Sequence, residues 1–179
     1  MSGLILTHGN RRPVIAADAF IAPNAVIVGD VEIGPGSSIW FGCVLRGDSN
    51  SIRIGARTNI QDGTIIHVNH QEDGGRGADA CCTVVGDDVT VGHMALIHAC
   101  RLENGAFVGM KACVMDGAVV EENAMVAAGA LLTPNKRVRS GELWAGSPAR
   151  LMRQLTRAEL DEFRYIAQHY CELAASYMR

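Results

Sequence analysis

Residues 102–132 read LENGAF, VGMKAC, VMDGAV, VEENAM, VAAGAL and L, so that an aliphatic residue recurs every six positions. The fifth residue of each complete hexad is alanine, and glycine or asparagine often stands just before it. This pattern predicts short strands that each bury one aliphatic side chain, joined by tight corners where glycine or asparagine tolerates positive φ. Three such hexads form one triangular coil of a parallel β-helix, and successive coils stack about 4.8 Å apart.

The same period can be followed over most of the chain. Three residues are inserted after Leu45, a longer segment separates Ile66 from Val85, and one residue is missing before Leu102. The aliphatic residues that open the 18 hexads are Ile15, Ile21, Ile27, Ile33, Ile39, Leu45, Ile54, Ile60, Ile66, Val85, Val91, Ile97, Leu102, Val108, Val114, Val120, Val126 and Leu132. We therefore expect an all-β fold of about six coils, and not a Gly- and Val-rich sandwich with a chance period.

After the last hexad the residues follow a different pattern. Thr156 and Glu159 have the spacing of a capping box at the start of a helix. Apolar residues then recur at steps of three and four, which predicts an amphipathic helix. We expect a β-helix domain over 1–140, a connector over 141–155, and a C-terminal helix over 156–179 that packs on the β-helix.

Charge and composition exclude several classes of protein. A net charge of −3 argues against nucleic-acid binding as the main role. No apolar run approaches the roughly 20 residues of a membrane span, and the first residues lack the pattern of a signal peptide. The six cysteines have no CxxC spacing, which is typical of reduced thiols. We expect a cytoplasmic protein that binds neither nucleic acid nor membrane.

Two histidines occupy equivalent hexad positions one coil apart. His67 and His98 are each the second residue of a hexad, and their hexads are three apart in order. The residue after a buried one points outward, so the two imidazoles should protrude side by side about 4.8 Å apart. Two imidazoles at this spacing can share one metal ion through bonds of about 2.0–2.1 Å. Arg46 has the same hexad position one coil earlier.

A third histidine lies on the adjacent face of the predicted prism. His93 is the third residue of its hexad, and Asp62 has the same place one coil earlier. A triangular prism cannot readily turn His93 towards His67 within one chain, but a neighbouring prism can supply it. We predict a metal site between subunits, which a closed three-fold ring repeats three times. Two histidines from one chain and one from the next leave a fourth position for water, as in catalytic zinc sites.

These residues in this arrangement resemble the γ-class carbonic anhydrase family, and in particular its compact bacterial branch. The resemblance extends from about residue 10 to 175. The hexad repeat is shared with acyltransferases, whereas three histidines combined with Arg-Gly-Asp and Asn-Ile-Gln-Asp are much more specific. The matching segments are Leu45-Arg46-Gly47-Asp48, Asn59-Ile60-Gln61-Asp62-Gly63, Ile66-His67-Val68, Val91-Gly92-His93, Ile97-His98, Gly109-Met110 and Gly146-Ser147-Pro148-Ala149.

The resemblance implies a left-handed β-helix that forms a homotrimer, with Zn²⁺, or Fe²⁺ or Co²⁺, held by His67, His93 and His98. It also implies reversible hydration of CO2 to bicarbonate, because a bound divalent ion lowers the pKa of its water to about 7. The match assigns further roles. Gln61 would orient the hydroxide, Arg46 and Asp62 would form an ion pair between subunits, Asp48 would support the interface, and Tyr170 would lie near the pocket.

Several alternatives remain open on the sequence alone. Hydration needs a proton shuttle, and this chain has Ser49 where well-characterised members of the family carry glutamate, so His70 or Glu72 are the candidates. A second function is that of a hexapeptide-repeat acyltransferase or CoA-thioester hydrolase. A transferase would need one histidine as general base and a CoA groove, but not three metal-ligating histidines. A third is a non-catalytic metal-binding scaffold.

Overall fold

The computed structural model of the protein describes residues 3–70 and 81–179. These residues form a parallel β-solenoid of about 7 turns with a single C-terminal helix, which confirms the predicted left-handed β-helix of hexapeptide repeats. The additional turn comes from Leu4–Leu6, which precedes the first counted hexad and pairs with the strand that begins at Val26, and from the segments that follow the last counted hexad. There Arg137–Val138 and Glu142–Gly146 pair with strands of the preceding coil and continue the stack.

Each coil crosses three faces, which we number in chain order around the coil. The first face contains β1 (Leu4–Leu6), the start of β4 (Val26–Ile33), the start of β6 (Val44–Ile54), β8 (Ile65–His67), β11 (Leu96–His98), β14 (Cys113–Val114) and β17 (Leu131–Leu132). The second face contains β2 (Val14–Ile15), the ends of β4 and β6, β9 (Thr83–Val85), β12 (Arg101–Leu102), β15 (Val119–Val120) and β18 (Arg137–Val138). The third face contains β3 (Phe20–Ile21), β5 (Ser38–Ile39), β7 (Asn59–Ile60), β10 (Thr90–Val91), β13 (Phe107–Val108), β16 (Met125–Val126) and β19 (Glu142–Gly146).

The core is a column of the aliphatic residues that open the hexads. On the first face Ile66, Ile97 and Val114 lie in register on successive strands, and all three are fully buried. Burial of such a side chain contributes about 1.5–3 kcal/mol to folding. The corners turn at residues with positive φ, such as Gly117 at 67° and Asn123 at 55°. The hexad pattern therefore fixes which side chains point inward and which remain on the surface.

Residues 141–155, where the sequence analysis expects a connector, contain two strands. β19 pairs in parallel with β16, and β20 (Ala149–Gln154) pairs antiparallel with β19. This hairpin extends the third face beyond the last coil and leads the chain into the helix.

The C-terminal helix α1 (Arg157–Tyr177) begins at the predicted capping box of Thr156 and Glu159. It packs on the third face, where Phe163 stacks on Phe107 with ring centroids 4.5 Å apart. Among the described residues, no helix combines the length and the apolar character that crossing a membrane requires.

Candidate metal centre

His67 and His98 lie directly opposite each other on the neighbouring strands β8 and β11. Nδ1 of His67 is 3.3 Å from Nε2 of His98. Arg46 occupies the same register position on β6, one coil before His67. The structure thus brings Arg46, His67 and His98 into one outward-facing row, as their hexad positions predict.

A carboxylate lies against the far nitrogen of each of these two imidazoles. Oδ1 of Asp48 is 3.2 Å from Nε2 of His67, and Oδ1 of Asp116 is 2.7 Å from Nδ1 of His98. An ionised carboxylate only accepts hydrogen bonds, so these far nitrogens carry the protons. The nitrogens that face each other then present two lone pairs across 3.3 Å, an arrangement that favours a cation between them.

The spacing of the two facing nitrogens also fits a metal ion. Two bonds of about 2.0–2.1 Å at a tetrahedral angle place the two nitrogens about 3.4 Å apart. The observed 3.3 Å between His67 and His98 agrees with this value. Divalent transition metals in proteins bind the lone pair of a neutral imidazole whose other ring nitrogen donates a hydrogen bond to a carboxylate. The pair therefore fits a shared metal ion.

The surroundings of His67 lower the pKa of its imidazole, with burial as the main cause and the Asp48 carboxylate opposing it. Burial raises the pKa of Asp48, yet hydrogen bonds from Arg46, His67 and Ser49 outweigh burial, so the pKa of this carboxyl lies well below its usual range. Arg46 contacts the second oxygen of Asp48 in an ion pair. Burial lowers the pKa of His67, which favours the neutral form that can bind a metal.

His93 lies at the corner between the third and first faces and has a carboxylate of its own. Its Nδ1 is 2.8 Å from Oδ2 of Asp62, which leaves Nε2 as the nitrogen with a lone pair. Within residues 3–70 and 81–179, no three His, Cys, Asp or Glu side chains of this single chain group together as a metal site. One chain therefore brings His67 and His98 together but does not bring His93 to them.

Gln61 and Tyr170 lie on the same side of the coil as Asp62. Gln61 is buried, and its Nε2 donates to Oδ1 of Asn59 at 3.1 Å. Tyr170 of α1 packs edge-on against Trp40 with ring centroids 5.3 Å apart. Burial, and secondarily the charge of Asp62, raise the pKa of Tyr170. Gln61 thus lies next to Asp62 in the chain, and Tyr170 lies close enough to Asp62 to sense its charge.

The sequence analysis missed Asp116. This residue is the third of the hexad opened by Val114, one coil beyond His98, whereas His98 is the second residue of its own hexad. Oδ2 of Asp116 accepts a hydrogen bond from Nδ2 of Asn69 at 2.8 Å. Of the two candidate proton shuttles, His70 is exposed beside Asn69, and Glu72 lies outside the described residues.

Comparison with known proteins places this chain in a family. A family model described as bacterial transferase hexapeptide (six repeats) matches residues 12–47. The chain is 51% identical over 165 residues to gamma carbonic anhydrase 2, mitochondrial, of Arabidopsis thaliana, a match that covers 92% of this chain and 58% of that protein. It is 41% identical over 174 residues to a carbonic anhydrase of Geobacillus kaustophilus, covering 97% of this chain and 91% of that protein.

A solved structure has the same fold. The crystal structure of a hexapeptide transferase family protein from Anaplasma phagocytophilum matches with a TM-score of 0.90 and 46% sequence identity, covering 97% of this chain and 98% of that one. The chain spans little more than half the length of the Arabidopsis relative but nearly all of the Geobacillus one. By sequence and by fold, this protein belongs to the γ-class carbonic anhydrase family of hexapeptide-repeat proteins.

Proposed function

We propose that this protein catalyses the reversible hydration of CO2 to bicarbonate at metal centres shared between the subunits of a homotrimer. The observation that carries the proposal is the pair of imidazole nitrogens of His67 and His98, which face each other at 3.3 Å while carboxylates hold their far nitrogens. The carbonic anhydrase of Geobacillus kaustophilus, which this chain covers almost completely, supports the reaction class.

The residues that would hold the ion are His67 and His98 of one subunit and His93 of the next, with Zn²⁺, Fe²⁺ or Co²⁺ as the candidates. When bound, such an ion lowers the pKa of a coordinated water to about 7 and so supplies a nucleophile at neutral pH. The contact of Asp48 with His67 and that of Asp62 with His93 determine which ring nitrogen of each imidazole carries the lone pair.

The remaining site residues act on the substrate water and on the interface. We assign Gln61 to orienting the water that attacks CO2, and Tyr170 to the wall of the pocket beside it. Arg46 is exposed and paired with Asp48 within its own chain, and we assign it to a further ion pair with Asp62 of a neighbouring subunit. His70 is the described candidate for carrying the proton to solvent, because its side chain is exposed next to the site.

An apolar row on the first face supports the trimer. The residues just before the buried column on that face lie in register on successive coils. They are Leu4, Val26, Val44, Ile65, Leu96, Cys113 and Leu131. The equivalent row on the second face includes Glu32, Arg53, Arg101 and Arg137. Exposed apolar surface of this extent is typical of a contact with another subunit.

The corner beside this row adds to the apolar surface. Met94, next to His93, is 59% exposed, and Met110, one coil further on, is 57% exposed. A neighbouring prism packed here would cover both methionines and bring the His93 corner against the row of Arg46, His67 and His98. The interface and the shared metal site thus depend on the same surface.

The alternative is a hexapeptide-repeat acyltransferase or CoA-thioester hydrolase. The transferase description of the matching family model and of the Anaplasma phagocytophilum structure favours it. A transferase of this kind uses one histidine as general base and needs no metal, so dependence on metal distinguishes the two. A metal-binding scaffold without activity differs from both, because it binds metal but does not turn over CO2.

The cytoplasm is our proposal for the compartment. No disulfide bond joins the cysteines within residues 3–70 and 81–179, which agrees with a reducing environment. The Arabidopsis thaliana relatives are named mitochondrial, so a fluorescent fusion in the source cell is the direct check.

The test combines metal analysis with stopped-flow CO2 hydration on anaerobically purified protein. We expect about one metal ion per chain and hydration well above the buffer rate. His93→Ala should abolish metal binding without unfolding the β-helix, whereas His169→Ala, a control on the exposed face of α1, should retain both metal and activity. Full metal occupancy in His93→Ala would overturn the intersubunit site. Hydrolysis of CoA thioesters by metal-free protein would favour the alternative.

A further inference from the structure

Asp116 connects His98 to the corner at which Asn69 contacts Cys81. One carboxylate oxygen, Oδ1, is 2.7 Å from Nδ1 of His98, and the other, Oδ2, accepts from Nδ2 of Asn69 at 2.8 Å. The backbone N–H of Asn69 donates to the carbonyl oxygen of Cys81 at 2.9 Å. Both oxygens of Asp116 are therefore engaged, which fixes the carboxylate plane relative to the imidazole.

The same construction recurs at the other two histidines. Asp48 places one oxygen on His67 and the other on Arg46, and Asp62 places one oxygen on His93 and the other on a backbone N–H. In each case a second donor holds the carboxylate that contacts the imidazole. A carboxylate held in this way can select one imidazole tautomer, because it accepts a hydrogen bond from one ring nitrogen only.

We propose that Asp116 is a positioning residue for metal binding, which keeps the proton of His98 on Nδ1 and its lone pair on Nε2, and that Asn69 holds Asp116 in this orientation. The inference rests on the proposed function, because His98 is a ligand of the proposed metal centre. The tautomer of His98 can nevertheless be measured without metal. A free neutral imidazole exchanges between two tautomers. Only the tautomer with its proton on Nδ1 has a lone pair on Nε2, the nitrogen that faces Nδ1 of His67.

The first measurement is the tautomer of His98 in the metal-free, full-length protein, read from the ¹⁵N shifts of labelled histidine rings. We expect wild type to carry the proton on Nδ1. Asp116→Ala should give a mixture of tautomers, while Asp88→Ala, which removes a corner carboxylate bonded to Arg57, should leave His98 unchanged. Asp116→Asn offers an amide N–H₂ to the ring and should shift the mixture further towards a proton on Nε2. An unchanged tautomer in both Asp116 variants overturns the proposal.

The second measurement is the affinity for Co²⁺, by titration in competition with a chelator. Asp116→Ala should lower the affinity about 10–100-fold, as removal of a carboxylate behind a ligating histidine does elsewhere. Asn69→Ala should cause a smaller loss in the same direction, and Asp88→Ala none. Thermal unfolding of the metal-free variants shows whether the fold is intact. Equal Co²⁺ affinity in wild type and Asp116→Ala contradicts the inference and leaves the metal centre standing.

The two proposals can fail separately. If wild-type protein binds no Co²⁺, the proposed function fails, and the ring shifts still decide whether Asp116 sets the tautomer of His98. If wild type binds Co²⁺ and the tautomer does not depend on Asp116, the metal centre stands and the positioning role is wrong.

Discussion

Asp62 contacts His93 across successive coils of the solenoid, with 2.8 Å between Oδ2 and Nδ1. Its other oxygen accepts a hydrogen bond from the backbone N–H of Phe41 at 3.3 Å. The orientation of each candidate ligand is thus set by a side chain from a neighbouring coil, as Asp48 and Asp116 also show. The stacking of coils therefore determines ligand geometry as well as the core.

Removal of the Asp62 carboxylate should weaken the metal centre without unfolding the chain. In Asp62→Ala, His93 loses its hydrogen-bond acceptor, and we expect the affinity for Zn²⁺ to fall about 10–100-fold. Asp18→Ala, a control at an exposed position, should bind Zn²⁺ as wild type does. Chelator competition gives the affinities. Wild-type affinity in Asp62→Ala would show that His93 is oriented by something other than this contact.

A charge in the apolar row should dissociate the oligomer. Leu96 is 40% exposed in the single chain, so Leu96→Asp costs the isolated subunit little but places a carboxylate in the proposed interface. We expect sedimentation to change from about three times the 19.1 kDa chain mass to the mass of one chain. Metal binding should be lost in the same variant.

The matched control lies on the second face. Val119 is also a partly exposed strand residue that precedes a buried valine. Val119→Asp should leave the oligomeric mass and the metal content unchanged. Dissociation in Val119→Asp but not in Leu96→Asp would place the interface on the second face instead.

The contact between α1 and the third face should contribute measurably to stability. Phe163 is 8% exposed and stacks on Phe107 with an interplanar angle of 23°. We expect Phe163→Ala to lower the free energy of unfolding by about 3 kcal/mol, whereas Tyr165→Ala, at a 63% exposed position, should change it by less than about 0.5 kcal/mol. Urea unfolding at one fixed chain concentration measures both. Equal values for the two variants would mean that the helix is not held by this ring pair.

The start of α1 should be sensitive to acid. Hydrogen bonds from Arg153 and from Thr156 lower the pKa of Glu159 from 4.5 to about 2. A carboxyl whose pKa is lower in the folded state stabilises the fold above pH 4.5, and this contribution is lost as the pH falls towards 2. In Glu159→Gln, we expect the unfolding temperature to fall less between about pH 5 and pH 2.5 than in wild type. Glu162→Gln, on the same helix, is the control, and its pH dependence should match that of wild type.

The six-residue period was sufficient to predict the row of Arg46, His67 and His98, because one aliphatic residue per strand fixes which neighbours point outward. The contact of Asp116 with His98 could not be read from the period, since it depends on how far a side chain reaches across a corner. The proposed place of His93 in the metal centre would involve a second chain, which no single-chain pattern describes.

The last turn was missed for a physical reason as well. Val138 and Trp144 continue the six-residue spacing beyond Leu132, and both lie on strands of the stack. The fifth residues of the hexads opened by Leu132 and Val138 are Lys136 and Glu142, where earlier hexads mostly have a small residue. A charged side chain is tolerated at these two positions because they lie near the end of the stack, where fewer coils pack against each corner.

The hydrogen bond between the backbone N–H of Asn69 and the carbonyl oxygen of Cys81 closes the corner beside the candidate metal centre at 2.9 Å. Asn69 and Cys81 thus meet at one corner, while β8 and β11 pair directly with each other. The length of chain between Asn69 and Cys81 is therefore independent of the distance between His67 and His98. We therefore expect that residues can be added or removed between Asn69 and Cys81 without a change in the spacing of these two candidate ligands.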